Sequence, residues 1–197
     1  SLVSLLKRTP GLRGWQVSNL QKRSTEVYLV GDELETVRCN SVQNYALRVQ
    51  TPVDDSLMGE STTRFQGKPE SLVGVIRDTA ARARLVRNPA FNFSAAYPAD
   101  ATAAPIRDKQ IGDAELDDLI AYAFQIRDFR QKHLGRFPLN SMELFFEEYD
   151  YTIRNHRGLE TSAPSTRVVC DYVLTSPDNR HEIMGIKKRR FLGDLKL

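Results

Sequence analysis

The sequence predicts an α+β fold in which two largely antiparallel β blocks flank a helical middle. Three observations predict it. Apolar and polar residues alternate over 15–63, apolar residues recur at helical spacing over 69–86 and 113–134, and alternation returns over 141–186. Strands grouped apart from helices are typical of α+β domains with antiparallel sheets. We expect residues 1–186 to form a single domain of this class.

A short helix opens the chain, and the first β block follows it. The helix is predicted over 2–8, because the pair Pro10–Gly11 ends it. Apolar residues alternate with polar ones over 25–29, and Gly31–Asp32 then supplies a tight turn. The later strands of this block are predicted at 33–39, around Tyr45, Leu47 and Val49, and as a short segment from Met58.

The middle of the chain contains two predicted helices. Pro69 suits the first position of one helix, and apolar residues follow it at helical spacing as far as Val86. The rest of its surface carries four arginines, which favours a solvated face over a nucleic-acid contact: Arg77, Arg82, Arg84 and Arg87. Residues 88–112 lack a period, which indicates an extended connection along the surface.

The second helix carries consistent signals at both ends. Asp113 is the predicted N-cap, and acidic residues in the first turn suit the positive end of the helix dipole. Lys132 and His133 lie in the last turn, Gly135 is expected at the C′ position, and Pro138 prevents continuation. The predicted apolar stripe is Leu116, Leu119, Ile120, Ala123 and Phe124.

The second β block completes the predicted fold. Alternation over 149–154 indicates one strand, and the turn Asn155–Gly158 reverses the chain. The next strand has apolar residues on both faces over 166–174, which predicts a central strand or a strand that crosses an interface. A last strand, over 181–186, follows the turn Pro177–Asn179.

Composition and charge narrow the classes of function. Of 197 residues 41% are hydrophobic and 27% charged, as in ordinary globular domains, and the formal net charge is only +3. Duplex DNA usually meets a clearer basic face, so we do not expect a nucleic-acid partner. No apolar run suits a membrane span, and Lys7 and Arg8 follow the apolar N-terminal stretch, the wrong order for a secretory signal. We therefore expect a cytoplasmic protein without membrane contact.

Two stretches have the order of elements found in a known family. The first, Glu26–Val37 followed by Tyr45–Val49, consists of a strand, a Gly-containing turn, a "Leu-Glu-x-Val" strand and a strand near an Arg. The second, Tyr151–Ser162, has the turn Asn155–Gly158 before a long strand. Both resemble the TldD/PmbA family, metal-dependent peptidases once called modulators of DNA gyrase. The family commonly has Ser where His156 stands.

This resemblance implies the N-terminal α+β domain of such a protein. The divalent metal would belong to a C-terminal domain absent from these residues, and 187–197 would be a basic tail or the crossover toward that domain. The implied role is non-catalytic substrate handling and assembly in a metallopeptidase system for proteolysis or peptide maturation. The implied partners are a TldD/PmbA-type chain, in a homo- or heterodimer, and an unfolded peptide. The alternative is a free-standing regulatory or nucleic-acid-binding module.

No residue of this chain is predicted to be catalytic, to bind a metal or to hold a cofactor, and the binding residues are unknown. The family's metal site resembles His-Glu-x-x-x-His on a helix, which places two imidazoles on one face. Here His181–Glu182 lies in a strand-like segment, and Gly185 and Ile186 follow where a second His is required. The strand-like context and the missing second His favour an accidental surface pair over a metal site. His133 and His156 are expected at a helix end and in a turn.

Other reactive or charged groups have simpler structural interpretations. Cys39 and Cys170 lie in strand-like apolar contexts and are expected to be buried free thiols. An acidic cluster is split over both faces of a strand, which indicates a solvated edge: Glu143, Glu147, Glu148 and Asp150. The basic run Lys187–Arg190 favours an exposed tail or an interdomain strand. Four aromatic residues are expected to pack against the long helix: Phe145, Phe146, Tyr149 and Tyr151.

Overall fold

Four α-helices and seven strands form the part of the chain that the computed structural model describes, residues 1–67, 69–96, 106–190 and 192–194. In chain order they are α1 (Leu2–Leu6), β1 (Gly14–Val30), β2 (Glu33–Pro52), β3 (Leu57–Gln66), α2 (Leu72–Ala83), β4 (Asn88–Pro89), α3 (Lys109–Gly112), α4 (Leu116–Leu134), β5 (Leu139–Asn155), β6 (Glu160–Thr175) and β7 (Glu182–Arg189). A 3-10 turn covers Leu192–Asp194. The predicted α+β class is confirmed.

The strands form one seven-stranded sheet in the order β4-β3-β2-β1-β5-β6-β7. The neighbours β2 and β3, β3 and β4, and β6 and β7 are antiparallel. The two predicted β blocks therefore belong to the same sheet, because β1 lies beside β5. The turns at Gly31–Asp32 and Asn155–Gly158 lie where the sequence predicts them, between β1 and β2 and between β5 and β6.

The chain divides into two compact units, and each unit is assembled from three separate stretches. Unit 1 comprises Ser1–Gln21, Val42–Ala104 and Asp150–Ala163, and unit 2 comprises Lys22–Ser41, Pro105–Tyr149 and Pro164–Leu197. Four of the five boundaries fall inside β1, β2, β5 and β6, so each of these long strands contributes residues to both units, and the fifth, between 104 and 105, lies outside the described residues.

Unit 1 buries one face of its strands beneath two helices. Strand alternation places Trp15 with Val17, and Leu47 with Val49, on the same face. The core cluster that they join is Leu6, Trp15, Val17, Leu47, Val49, Ile76, Ala80 and Ala83. At Gly59 an added Cβ would overlap the carbonyl oxygen of Ala83, so the close approach of β3 to the end of α2 requires glycine.

Unit 2 packs α4 and α3 against its own strands. The buried cluster there is Val27, Leu29, Ile111, Leu119, Ala123, Ile126, Leu139, Met142, Leu144, Phe146, Val168, Cys170, Leu174 and Leu192. The predicted stripe of α4 is correct for Leu119 and Ala123, which are buried, and for Ile120 and Phe124, which are partly buried against the same cluster, whereas Leu116 is 44% exposed. Arg130 extends the buried side of α4, where it donates to the carboxylate of Asp32 at 2.9 Å.

Both predicted helix starts were wrong by two or three residues. α2 begins at Leu72, not at Pro69, because the Ser71 side chain caps it by accepting from the Gly74 N–H at 3.0 Å. α4 begins at Leu116 with Glu115 as its N-cap. The predicted N-cap, Asp113, instead ends α3.

Three further predictions need correction. Gly135 ends α4 with φ of −56°, so the left-handed C′ geometry expected of it is absent. β3 is longer than predicted and runs to Gln66. The region 88–112 contains β4 and α3, while residues 97–105 lie outside the described residues. None of the helices in the described ranges has both the length and the apolar character that crossing a membrane requires.

Candidate binding cleft

A cleft of about 510 Å³ lies in unit 1, on the face of the sheet that carries its core. Trp15 and Val17 lie in that core, and Asn19, the next residue of β1 on the same face, lines the cleft. The described residues that line it are Ser1, Leu2, Val3, Val17, Asn19, Gln43, Tyr45, Phe65, Gly67, Pro69, Leu72, Thr152 and Arg154. The cleft therefore continues the apolar core face beyond the part that the helices bury.

Two stacked aromatic rings form one wall of the cleft. Tyr45 of β2 and Phe65 of β3 are cross-strand partners, and their ring centroids are 5.2 Å apart at an interplanar angle of 15°. Cross-strand aromatic pairs stabilise the sheet and offer a flat apolar surface. The turn after β3 is held by a hydrogen bond from the Gly67 N–H to the Gln43 carbonyl at 2.9 Å.

Polar groups are few in the cleft and differ in how they are satisfied. The Asn19 Oδ1 atom is buried and, among the described residues, has no hydrogen-bond partner. A buried acceptor of this kind favours a ligand or a water that donates to it. At the rim, the Arg154 guanidinium donates to the Glu160 carboxylate at 2.6 Å. Apolar walls with a few polar groups are typical of pockets that bind ligands.

The three histidines, all of them in the described residues, do not lie close to other side chains that could bind a metal with them. His181 and Glu182 are both exposed at the start of β7, and the Asn140 amide donates to Glu182 at 3.0 Å. His133 lies in the last turn of α4, 4.3 Å from the Phe129 ring centroid. His156 lies in the β5–β6 turn, where its Nδ1 accepts from the Trp15 N–H at 3.3 Å. Nowhere in the described residues do three His, Cys, Asp or Glu side chains come together as metal ligands.

The prediction for the cysteines is correct for one of them. Cys170 is buried and free, and burial raises its pKa to about 12, which keeps the thiol protonated and unreactive. Cys39 is exposed, contrary to the prediction, because its side chain faces a groove of about 360 Å³ in unit 2 and not the core. Its Sγ lies 3.8 Å from the Thr25 hydroxyl.

The acidic cluster is not a solvated edge, because β5 lies between β1 and β6 in the middle of the sheet. Glu147 is only 3% exposed. Its carboxylate accepts from the Arg167 guanidinium, from Lys22 Nζ at 2.5 Å and from the Tyr149 hydroxyl at 2.9 Å. Glu148 instead pairs with Arg107 at 2.9 Å. No sequence pattern predicts this network, since its members come from three strands.

Two pKa shifts follow from this network. Burial raises the pKa of Glu147, but the hydrogen bonds from Arg167, Lys22 and Tyr149 outweigh burial, so the net pKa lies below the ordinary 4.5. Burial, and then the hydrogen bond to Glu147, raise the pKa of Tyr149 to about 12. Glu147 is therefore a stable anion and Tyr149 a stable donor, which suits a structural role and not proton transfer.

The basic run belongs mainly to β7, which is longer than the predicted 181–186. Lys187, Lys188 and Arg189 pair with Cys170, Val169 and Val168 of β6. Phe191 and 195–197 lie outside the described residues, and the predicted crossover remains a prediction. Of the four aromatic residues, Phe146 does pack against the long helix, edge-on to Tyr122 at 6.1 Å.

The arginine face of α2 is exposed, as predicted. Arg77 pairs with its neighbour Asp78 at 3.1 Å, and Arg87 donates to the Arg84 carbonyl at 2.9 Å. Arg82 donates to the Thr63 hydroxyl. These local contacts agree with a solvated helix face.

The sheet and the helices define an α+β fold that is shared with solved proteins. No protein-family profile and no curated protein matches the sequence. Solved structures that match over nearly the whole chain include TldE from Thermococcus kodakarensis and candidate modulators of DNA gyrase from Thermotoga maritima and Bacteroides thetaiotaomicron. The resemblance to the TldD/PmbA family that the sequence indicated is thus confirmed in the fold.

The three likenesses are similar in extent. TldE aligns with a TM-score of 0.69 at 15% identity, over 98% of this chain and 44% of its own. The T. maritima protein aligns with a TM-score of 0.69 at 15% identity, over 99% of this chain and 43% of its own. The B. thetaiotaomicron protein aligns with a TM-score of 0.70 at 17% identity, over 99% of this chain and 44% of its own. At these identities the likeness establishes the fold. The chain spans less than half the length of the proteins it matches.

Proposed function

We propose that the chain is a non-catalytic substrate-handling and assembly domain of a TldD/PmbA-like metallopeptidase system, acting in proteolysis or peptide maturation in the cytoplasm. The observation that carries the proposal is the aromatic-walled cleft of unit 1. Among the described residues, its lining contains no His, Cys or carboxylate that could activate its Ser and Thr hydroxyls. Such a cleft binds the apolar side chain of an extended peptide. The fold likeness supports the family setting, and two free thiols support a reducing compartment.

The residues present do not fit the divalent metal that the fold family implies. His181 and Glu182 lie at the start of an exposed strand, where side chains alternate between faces, so the helical His-Glu-x-x-x-His geometry cannot form. No cluster of ligands exists in the described ranges. The proposal therefore assigns the metal and the bond cleavage to residues outside this chain.

The experiment measures binding of short, unstructured, fluorescently labelled peptides whose central residue is Phe, Leu or Ser. We expect the Phe and Leu peptides to bind and the Ser peptide to bind more weakly. Phe65→Ala removes half of the aromatic wall and should weaken binding about tenfold or more. Thr152→Trp fills the cleft without removing a core contact and should also weaken it. The matched control is Phe129→Ala, a 47% exposed aromatic residue in unit 2.

Two results would contradict the proposal. Peptide binding that Phe65→Ala and Thr152→Trp leave unchanged would remove the cleft as the site. Hydrolysis of the peptides by the purified chain with added divalent metal, abolished by a chelator, would show that the chain is itself catalytic. Circular dichroism of each variant confirms that the fold is retained in the comparison.

A further inference from the structure

Asn19 is a polar residue on the apolar core face of β1. Strand alternation puts it on the same face as Trp15 and Val17, which are buried in the core of unit 1. Asn19 itself is half-buried and lines the cleft of that unit. The face therefore changes from apolar side chains to an amide where the cleft begins.

The amide oxygen of Asn19 lacks a hydrogen-bond donor. Its Oδ1 atom is buried, and no described residue donates to it. Burying an acceptor is unfavourable unless a donor meets it, so nearly all such atoms in folded proteins are hydrogen-bonded. The Arg154 guanidinium, at the rim of the same cleft, donates to the Glu160 carboxylate instead. A molecule that occupies the cleft can supply the donor that Asn19 needs.

The walls of the cleft suit a flat ring. Tyr45 and Phe65 stack there with their centroids 5.2 Å apart, and an incoming aromatic ring packs well against such a pair, offset-stacked or edge-on. The volume of about 510 Å³ lies within the range of about 300–1,000 Å³ for pockets that hold small ligands, so a large side chain has room. Arg154 is the one charged side chain among the described lining residues, and Glu160 balances its charge. The cleft therefore favours an uncharged aromatic occupant.

Tyrosine is the side chain that meets both requirements best. Its ring is apolar, and its O–H lies at the far end of the ring, where it can reach a buried atom and rotate toward it. Phenylalanine and leucine would fill the cleft but leave the Asn19 oxygen without a donor. Serine carries a donor without a ring, and the indole N–H of tryptophan is fixed at the side of its ring.

We propose that the cleft selects a tyrosine in an extended peptide, with the ring against Phe65 and the phenol O–H donating to Asn19 Oδ1. This inference rests on the proposed function and names the side chain that the cleft recognises. Asn19 is then a specificity-determining residue. A site that hydrogen-bonds a hydroxyl discriminates against the analogue that lacks it, because the polar group of the site is then left unpaired.

Peptides that differ in a single group test the donor. One unstructured, fluorescently labelled sequence is made with a central Phe, Tyr, 4-aminophenylalanine or O-methyltyrosine, and binding is measured by fluorescence anisotropy. The Tyr and 4-aminophenylalanine peptides should bind about tenfold more tightly than the Phe peptide, because both carry a donor at the end of the ring. O-methyltyrosine keeps the oxygen but not its proton, so that peptide should bind no better than the Phe peptide.

Variants of Asn19 test the acceptor. Asn19→Leu keeps the size of the side chain but removes the oxygen, so the Tyr peptide should bind about tenfold more weakly, and the Phe peptide as well as before or better. Asn19→Asp keeps an acceptor and should keep the preference for Tyr. The matched control is Asn44→Leu, because Asn44 precedes Tyr45 on β2 and strand alternation places it on the opposite face, outside the described lining. It should change neither affinity.

Urea unfolding separates recognition from a structural role of Asn19. Asn19→Leu should not lower the free energy of unfolding, because the oxygen that it removes has no partner among the described residues. A variant that had lost its structure would bind the Tyr and Phe peptides equally poorly, whereas the inference predicts a loss for the Tyr peptide alone.

The results also separate this inference from the proposed function. If the Tyr and Phe peptides bind equally, or if the O-methyltyrosine peptide binds as tightly as the Tyr peptide, the preference is wrong and peptide binding by the cleft stands. A preference for Tyr that Asn19→Leu leaves unchanged overturns the role of Asn19. If none of the peptides binds, both the inference and the proposed substrate handling are wrong.

Discussion

Glu147 shows how one buried carboxylate can organise a strongly charged part of a sheet. Its neighbours Lys22 and Arg167 are partly exposed, at 33% and 41% of their side chains, whereas Glu147 itself is almost fully buried. A buried anion with two bonded cations is stable only while both partners remain. The carboxylate thus fixes the positions of two cations and of the Tyr149 hydroxyl on β1, β5 and β6.

Glu147→Gln should lower the free energy of unfolding by about 2 kcal/mol. This loss lies between the usual cost of breaking an exposed ion pair and that of breaking a buried one. Glutamine keeps the shape but leaves Lys22 and Arg167 facing each other without a negative charge. Urea unfolding at neutral pH measures the loss. Glu160→Gln is the control, because Glu160 pairs with Arg154 in an exposed position, and it should cost less than about 0.5 kcal/mol.

The Glu147 carboxylate should make the stability of the chain depend on pH in a defined direction. Its pKa in the folded chain lies below the ordinary 4.5, so its contribution is present above pH 4.5 and is lost as the pH falls through the lower, folded value. The stability difference between the unmodified chain and Glu147→Gln should therefore shrink in acid. A difference that stays constant from neutral to acid pH would show that charge is not the cause.

The ends of the helices depend on single capping residues more than on proline. Ser71 caps α2 through the Gly74 N–H, although Pro69 two residues earlier is the stronger signal in the sequence. In the same way Glu115 begins α4 because its own N–H donates to Asp118 at 3.2 Å, while Asp113 closes the short α3. Competing caps within a few residues make such boundaries hard to predict.

Ser71→Ala should destabilise the chain by about 1 kcal/mol, the usual cost of removing an N-cap side chain. Ser71→Asp should retain the stability, because a carboxylate caps the same N–H groups and suits the positive end of the helix dipole. Chemical unfolding followed by circular dichroism measures both. Equal losses in the two variants would show that α2 does not depend on this cap.

Strands and turns were predictable where the signal is local. Gly31, with φ of 58°, and Gly158, with φ of 82°, occupy the turns that the sequence indicated. Alternation also placed Val27 and Leu29 on the buried face correctly. The burial of Glu147 was not predictable, because it depends on the non-local pairing of β1 with β5. The cleft was missed for the same reason, since Tyr45, Asn19 and Thr152 come from three different strands.

Charge over the whole chain is nearly balanced, with 28 Lys and Arg against 25 Asp and Glu. Many of the arginines also form ion pairs with carboxylates, such as Arg38 with Glu26 at 2.5 Å and Arg48 with Glu60 at 2.6 Å. Because the basic side chains are paired with acidic ones and interspersed among them, little continuous basic surface is left for phosphate recognition.

We therefore expect no salt-sensitive binding of duplex or single-stranded DNA. Fluorescence anisotropy with labelled DNA at low ionic strength tests this, with the peptides of the cleft experiment as the positive comparison. Binding that weakens steeply as salt rises would contradict the expectation and favour the alternative of a nucleic-acid-binding module. Arg77→Glu and Arg84→Glu on α2 would then locate the contact.

The division of β1, β2, β5 and β6 between the two units has a consequence for how such a chain can evolve. Unit 1 is complete only after residue 163, whereas unit 2 already begins at residue 22. A single recombination event between two related genes therefore cannot exchange one unit and leave the other whole. Separable domains usually occupy contiguous stretches that evolution can shuffle. Here the two units can be inherited, duplicated or transplanted only together.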